Sequence, residues 1–209
     1  MINDQKQLWN DKYSQRKIPL APNTFAKEVE QLISKHSKIL ELGCGNNQDP
    51  QYFADKGHSV LATDFAESII SERKSSQTDN LKFDVLDISK PMPFERETFD
   101  VIYSRLALHY FTDKVTKEIF QELHRILKPQ GYLCFICKSP EDPKYGRGTL
   151  IEKDMFEARG HVRHFFSEAY AAECVSAFRV IKLKSYKEVF NTDESGFVQV
   201  IAQKAENNS

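Results

Sequence analysis

Lys38-Ile39-Leu40-Glu41-Leu42-Gly43-Cys44-Gly45 is the stretch on which the fold turns. A short apolar run carrying one acid ends abruptly in two glycines one residue apart. The run predicts a core strand from Lys38 to Leu42, and the glycines predict a sharp bend into a following helix. Glycine at such a bend also lets a ligand come close to the backbone.

Outward from that strand, short apolar runs alternate with helical stretches. Downstream, helices are expected at about Pro50 to Lys56, Glu67 to Ser75 and Asp113 to Leu127. Strands are expected at His58 to Asp64, Leu81 to Val85, Phe99 to Ser104 and Tyr132 to Cys137. In the helix from Asp113, the residues Val115, Ile119, Phe120, Leu123, Ile126 and Leu127 form one apolar stripe, and Pro129 and Gly131 stop it. Ser167 reads as the N-cap of a helix to about Ala177. Strands from Arg179 to Phe190 and Phe197 to Ala202 are separated by a few residues, Asn191, Asp193 and Gly196 among them, and are expected to pair as an antiparallel hairpin. Upstream, Phe25, Val29, Leu32 and Ile33 recur at helical spacing and predict a helix from Thr24 to His36. The alternation implies an α/β fold with a mostly parallel, seven-stranded sheet closed by a C-terminal antiparallel hairpin. No repeat or long linker divides the chain. It is read as one domain over 1–209, with an N-terminal arm at 1–22 and an insertion at 139–166.

The bulk chemistry narrows the function. The 209 residues carry 29 Lys and Arg against 30 Asp and Glu, a formal net charge of −1 that gives no general attraction to nucleic acid or an anionic membrane. No apolar run reaches the roughly 20 residues that span a bilayer. The start of the chain, Met1 to Trp9, is polar and lacks the core of a secretory signal, so the cytoplasm is the expected compartment. Cys134 and Cys137 form a C-x-x-C, but on a buried strand residues three apart face opposite sides, which suits neither a disulfide nor a shared metal. No metal site is expected.

Acidic residues accompany the glycine turn. Asp64 ends the second strand, roughly 20 residues beyond Gly45, the spacing at which an acid bonds a ribose hydroxyl pair. Asp87 follows the third strand. A dinucleotide fingerprint would place a third glycine at position 48, where this chain has Gln48, and no Lys or Arg lies between Lys38 and Lys56. Glu41, Asp64 and Asp87 would repel two phosphates. They suit a ligand with an amine, a ribose, an adenine and a cationic sulfur, which is S-adenosylmethionine. A bare β–α turn without ligand is the alternative for the glycines taken alone.

Ile39 to Gly45 with Val60 to Asp64 resembles the opening motifs of the class I S-adenosylmethionine-dependent methyltransferases. Phe83 to Asp87 resembles that family's adenine-contacting segment. Pro91 to Ser104 resembles its fourth-strand motif, and Glu122 to Leu133 its helix-to-strand passage, with Gln130-Gly131 where Gly-Gly is usual. The resemblance implies a Rossmann-like three-layer sandwich and implies roles. Gly43 and Gly45 would line the methionine part, and Glu41 would steady the turn. Asp64 would hold the ribose with Phe65 on one adenine face, and Asp87 would take the adenine amine with Leu86 and Ile88 beside the ring. Ser104 and Arg105 would lie under the sulfonium. Trp9 and Tyr13 resemble an arm that closes over the cofactor in small-molecule members, in a layout like the tellurite-resistance type; a plain docking anchor is the other reading of Trp9.

The expected partner is a small-molecule methyl acceptor. The Asn/Asp-Pro-Pro-Tyr clasp of nucleic-acid base methyltransferases is absent, with Ser104-Arg105-Leu106-Ala107 in its place. Methyl transfer needs placement and exclusion of water more than a fixed catalytic set. His109 and His164 are the candidates for a base. The other reading of His109 is an ordinary hydrogen-bonding surface or half-buried histidine, and the His161 to His164 stretch reads either as part of a roof over the substrate or as the start of an ordinary strand. Lys144, Tyr145 and Arg147, on a Gly-bearing stretch, would bind an acidic substrate group or simply form a solvated loop. Two further functions compete with an active enzyme: a catalytically silent methyltransferase-like binding module and a nicotinamide-dependent oxidoreductase.

Overall fold

Lys38–Leu42 (β1) is a strand whose last four residues are all buried, as an apolar run covered on both faces should be. The computed structural model describes Gln7, Trp9 and residues 21–46, 48–190 and 193–206. Within them β1 is followed by β2 (Ser59–Asp64), β3 (Leu81–Val85), β4 (Phe99–Arg105) and β5 (Leu127–Lys138). Two long strands, β9 (Phe178–Phe190) and β10 (Asp193–Lys204), complete a seven-stranded sheet of order β3-β2-β1-β4-β5-β10-β9. The pairs among β1 to β5 are parallel, whereas β10 runs antiparallel to both β5 and β9. The expected fold class is the observed one.

Strand alternation divides the core into two. Leu40, Leu42, Ile102, Phe135 and Cys137 face one side, where α4 (Asp113–Ile126) and α5 (Glu168–Cys174) pack through Ile119, Phe120, Leu123, Ala171 and Cys174. Ile39, Val101, Tyr103, Cys134 and Ile136 face the other. That side is covered by α1 (Thr24–Glu30), α2 (Asp49–Asp55) and α3 (Glu67–Arg73) through Phe25, Val29, Phe53, Ile69 and Ile70. Each fully buried Leu, Ile or Phe stabilises the fold by about 1.5–3 kcal/mol. Cys134 and Cys137 lie on opposite faces as expected, both buried as free thiols.

Among the described residues two helices carry side-chain N-caps, the one at Ser167 as expected and the one at Asn23 a finding of the structure. Asn23 caps α1 by accepting the Phe25 amide at 2.8 Å, and Ser167 caps α5 by accepting that of Tyr170 at 3.1 Å. Four differences stand out. The first helix stops at Glu30, not His36, because the chain must reverse into β1; Leu32 is left 44% exposed, and His36 takes a left-handed φ of 60°. Strand β5 begins at Leu127, so Pro129 and Gly131 lie inside a strand with a shifted register. Asp193 and Gly196 belong to β10 rather than to the hairpin turn. At Gly196 a Cβ would stand 2.4 Å from the Asp142 amide nitrogen, so the glycine admits the loop after β5.

The fourth difference is a second sheet. Thr149–Glu152 (β6), Met155–Ala158 (β7) and His161–His164 (β8) form a three-stranded antiparallel sheet within the stretch read as an insertion. It docks through backbone bonds, the His164 amide donating to the His109 carbonyl at 2.9 Å and the Phe166 amide to the Lys138 carbonyl at 2.8 Å. It therefore stands over the carboxyl ends of β4 and β5. Among the described residues no helix is long and apolar enough to cross a membrane.

Candidate active site

The strand order reverses at β1, between β2 and β4, and ligands of open α/β sheets bind at the carboxyl ends of strands at such a point. Gly43 and Gly45, with φ of 71° and 48°, make the bend there. A Cβ on Gly43 would lie 2.3 Å from the Cβ of Ala107, so what excludes a side chain at position 43 is the segment after β4. Asp64, at the end of β2, is buried; its Oδ2 accepts the Gly45 amide at 2.9 Å and its Oδ1 the Ala66 amide at 2.9 Å. Asp64 thus steadies the turn, the part expected of Glu41. Burial raises the Asp64 carboxyl above its usual range, and the amides of Ala66, Gly45 and Phe65 oppose that.

Glu41 is 1% exposed, and neither carboxylate oxygen has a hydrogen-bond partner among the described residues. Its neighbour across the β1–β4 pair is Tyr103, whose hydroxyl donates to Asp49 at 2.9 Å. Burial, foremost, and the nearby Asp49 and Asp64 charges push the Glu41 carboxyl well up, while Arg73 and Arg105 pull it back. A buried carboxylate without a donor is costly. The arrangement suits a cationic, hydrogen-bond-donating group next to the glycine turn, as the ammonium of S-adenosylmethionine is.

The remaining expected residues are distributed as follows. Phe65, Leu86, Asp87 and Ile88 are half-buried after β2 and β3. Asp87 Oδ1 accepts the amide of Ser89 at 3.1 Å and its hydroxyl at 2.6 Å, and Lys90 pairs with Oδ2 at 3.4 Å. Ser104 is fully buried and donates to the Leu42 carbonyl at 3.2 Å, so its hydroxyl holds the strands together. Arg105 ends β4 with its guanidinium carbon 5.2 Å from the centre of the Phe190 ring. Trp9 packs edge-on against Tyr110 at 5.3 Å and His161 at 5.7 Å, so the arm reaches both the loop after β4 and the second sheet. Tyr13 lies outside the described residues. His109 is 1% exposed with its ring 4.4 Å from that of Tyr110. His164 is buried against Tyr170 and Phe166, with Nδ1 3.3 Å from the Phe111 carbonyl oxygen, and burial holds its ring toward the neutral form. It is packed into the wall of the second sheet.

Sequence reasoning missed Asp49, Tyr103, Ala107, Tyr110 and Lys138. Asp49-Pro50 carried a helix-start signal, but nothing local announces that Tyr103 would bond it across the sheet.

Residues 40–135 match the family described as "Methyltransferase domain". A malonyl-[acyl-carrier protein] O-methyltransferase of Pseudescherichia vulneris is 27% identical over 147 residues, 68% of this chain and 54% of that protein. The chain spans about half or less of the length of the curated relatives it matches. Among solved structures, a SAM-dependent methyltransferase of Methanosarcina mazei superposes with a TM-score of 0.75 at 22% identity, covering 86% of this chain and 98% of that one. The 1,6-didemethyltoxoflavin-N1-methyltransferase of Burkholderia thailandensis, solved with 1,6-didemethyltoxoflavin and S-adenosylhomocysteine, superposes with a TM-score of 0.73 at 16% identity, covering 98% and 86%. Residues 40–135 thus resemble a methyltransferase domain, and the fold around them is that of solved S-adenosylmethionine-dependent methyltransferases.

Proposed function

We propose that this protein transfers the methyl group of S-adenosylmethionine to a small molecule by in-line displacement. The observation that carries the reading is Glu41: a buried carboxylate with no partner among the described residues, at the end of β1 beside a left-handed glycine turn. A phosphate-bearing cofactor would be repelled there, whereas an ammonium supplies the missing donors. The bound cofactor supplies a methyl already activated by a sulfonium.

The chain's own residues bind, orient and exclude water. Glu41 takes the ammonium, and Gly43 and Gly45 leave room beside the backbone. Asp64 fixes the turn through Gly45 and offers its remaining lone pairs to the ribose. Asp87, with Phe65, Leu86 and Ile88, takes the adenine, and Ser104 keeps β4 against β1. Trp9, on Tyr110 and His161, shuts water from the carboxyl ends of β4 and β5. His109, beside that cluster, is the group placed to accept a proton from an acceptor that arrives protonated. A small acceptor is supported by the second sheet over the strand ends and by the Burkholderia structure, which holds one.

Calorimetry with S-adenosylhomocysteine and with NAD tests the cofactor, and release of S-adenosylhomocysteine over a metabolite panel tests turnover. Binding of the first and not the second is expected. Binding of NAD instead would end this reading.

A further inference from the structure

Arg105 is half-buried at the carboxyl end of β4, and it has neither a hydrogen bond nor an ion pair among the described residues. Its guanidinium lies over the face of the Phe190 ring. A guanidinium laid on a ring has its N–H edge held in plane, ready for a bidentate acceptor. Next to it on β5, Lys138 is buried with its ammonium 5.1 Å from the same Phe190 ring and 4.1 Å from that of Phe197. Lys138 is already matched by Asp142 at 2.6 Å. Arg163, on β8, feels Lys138 as a like charge and also has no bonded partner among the described residues. It lies on the same face of β8 as His161, the face that meets Trp9.

Two cations without an acidic partner among the described residues, Arg105 and Arg163, thus stand at the end of β4 and on the sheet above it, beside the Lys138–Asp142 pair. The nearby acids leave these two unmatched. Asp142 is committed to Lys138, and Glu188, on the Phe190 face of β9, does not bond Arg105. Glu41 and Asp49 feel Arg105 only at longer range.

We propose that Arg105, backed by Arg163, binds an acidic group, carboxylate or phosphate, on the methyl acceptor; this rests on the methyltransferase reading above. A guanidinium directly beneath a sulfonium would repel it, which favours an anion over the cofactor's sulfur as its counterpart. The cofactor's own carboxylate is the competing source of such an anion, and the test separates the two.

The probes are benzoate and phenyl phosphate, with neutral benzamide as control, titrated into the S-adenosylhomocysteine-bound protein. At least one anion is expected to bind about tenfold or more tightly than benzamide. Arg105→Gln should weaken that anion about tenfold and move S-adenosylhomocysteine affinity less than twofold, with Arg105→Lys intermediate and Arg163→Gln weaker in effect. Should Arg105→Gln fail to fold, the anion preference of the wild type and its reduction in Arg105→Lys and Arg163→Gln decide, and an unchanged preference in both overturns the proposal. The proposal is overturned if the anions bind no better than benzamide. It is also overturned if Arg105→Gln weakens S-adenosylhomocysteine while leaving 5′-methylthioadenosine, which lacks the amino acid, unaffected. A wild type that binds no S-adenosylhomocysteine would bring down the methyltransferase reading itself, and the subsite with it.

Discussion

The Asp64 carboxylate and the Gly45 amide, 19 residues apart, are joined by a 2.9 Å hydrogen bond that ties the end of β2 to the bend after β1. Asp64→Ala leaves the Gly45 and Ala66 amides without this acceptor. It should cost about 1–3 kcal/mol of stability and weaken cofactor binding by a similar amount. Thermal melts read the first and calorimetry with S-adenosylhomocysteine the second; an unchanged melting temperature would show that the bond does not hold the turn.

Gly43→Ala should destabilise by about 1–3 kcal/mol, from a Cβ placed 2.3 Å from that of Ala107 and from a φ of 71°. Ala107→Gly in the same chain removes the clash and leaves the backbone cost. The double variant should therefore recover part of the loss in a denaturant titration, and no recovery would place the cost elsewhere.

Glu41 makes the protein pH-sensitive in a defined direction. Its carboxyl is raised, so the folded chain holds that proton more tightly than the unfolded chain. The stability this contributes is fully present below the unfolded carboxylate range and is lost as pH rises through the folded value. Asp49 and Asp64 are raised as well and act with the same sign, so the difference between wild type and Glu41→Gln isolates Glu41. If an ammonium takes the ionised carboxylate, binding expels the proton. S-adenosylhomocysteine affinity should then rise with pH up to the folded value. Calorimetry in buffers of different ionisation enthalpy should register proton release in the wild type and none in Glu41→Gln, which should also bind at least about tenfold more weakly.

Gln130 sits at φ 62°, in the strand where the resemblance leads one to expect glycine. Gln130→Gly should stabilise by about 0.5–1 kcal/mol, net of the freedom glycine adds to the unfolded chain. The Gln130 carbonyl that accepts from Gln203 is retained. A rise of about 1–4 °C in melting temperature is the expected reading; a fall would mean that the side chain is needed.

The parallel strands were legible from their patterning, β1 as an apolar run covered on both faces and β3 as an alternation of buried Leu81 and Phe83 with exposed Lys82 and Asp84: both begin and end where the sequence predicted. Helix α4 was legible because its stripe is continuous. The second sheet was not, since Thr149, Leu150 and Ile151 are exposed and give no alternation of burial. Gly43, Gly45 and Asp64 announced themselves by local spacing. The bond from Tyr103 to Asp49, the contact of Gly43 with Ala107 and the stacking of Arg105 on Phe190 join segments brought together only by the crossovers, so no local pattern encodes them.

Strand β9 joins the sheet through β10 alone, and β10 reaches β5 across some sixty intervening positions. A premature stop shortly after Phe190 would therefore remove a structural bridge. It would strand β9 in solvent and lay bare the flank of β5, an apolar template open to any passing chain. Quality control should meet such fragments as aggregates, and loss-of-function truncations at this end should be as severe as those at the glycine turn.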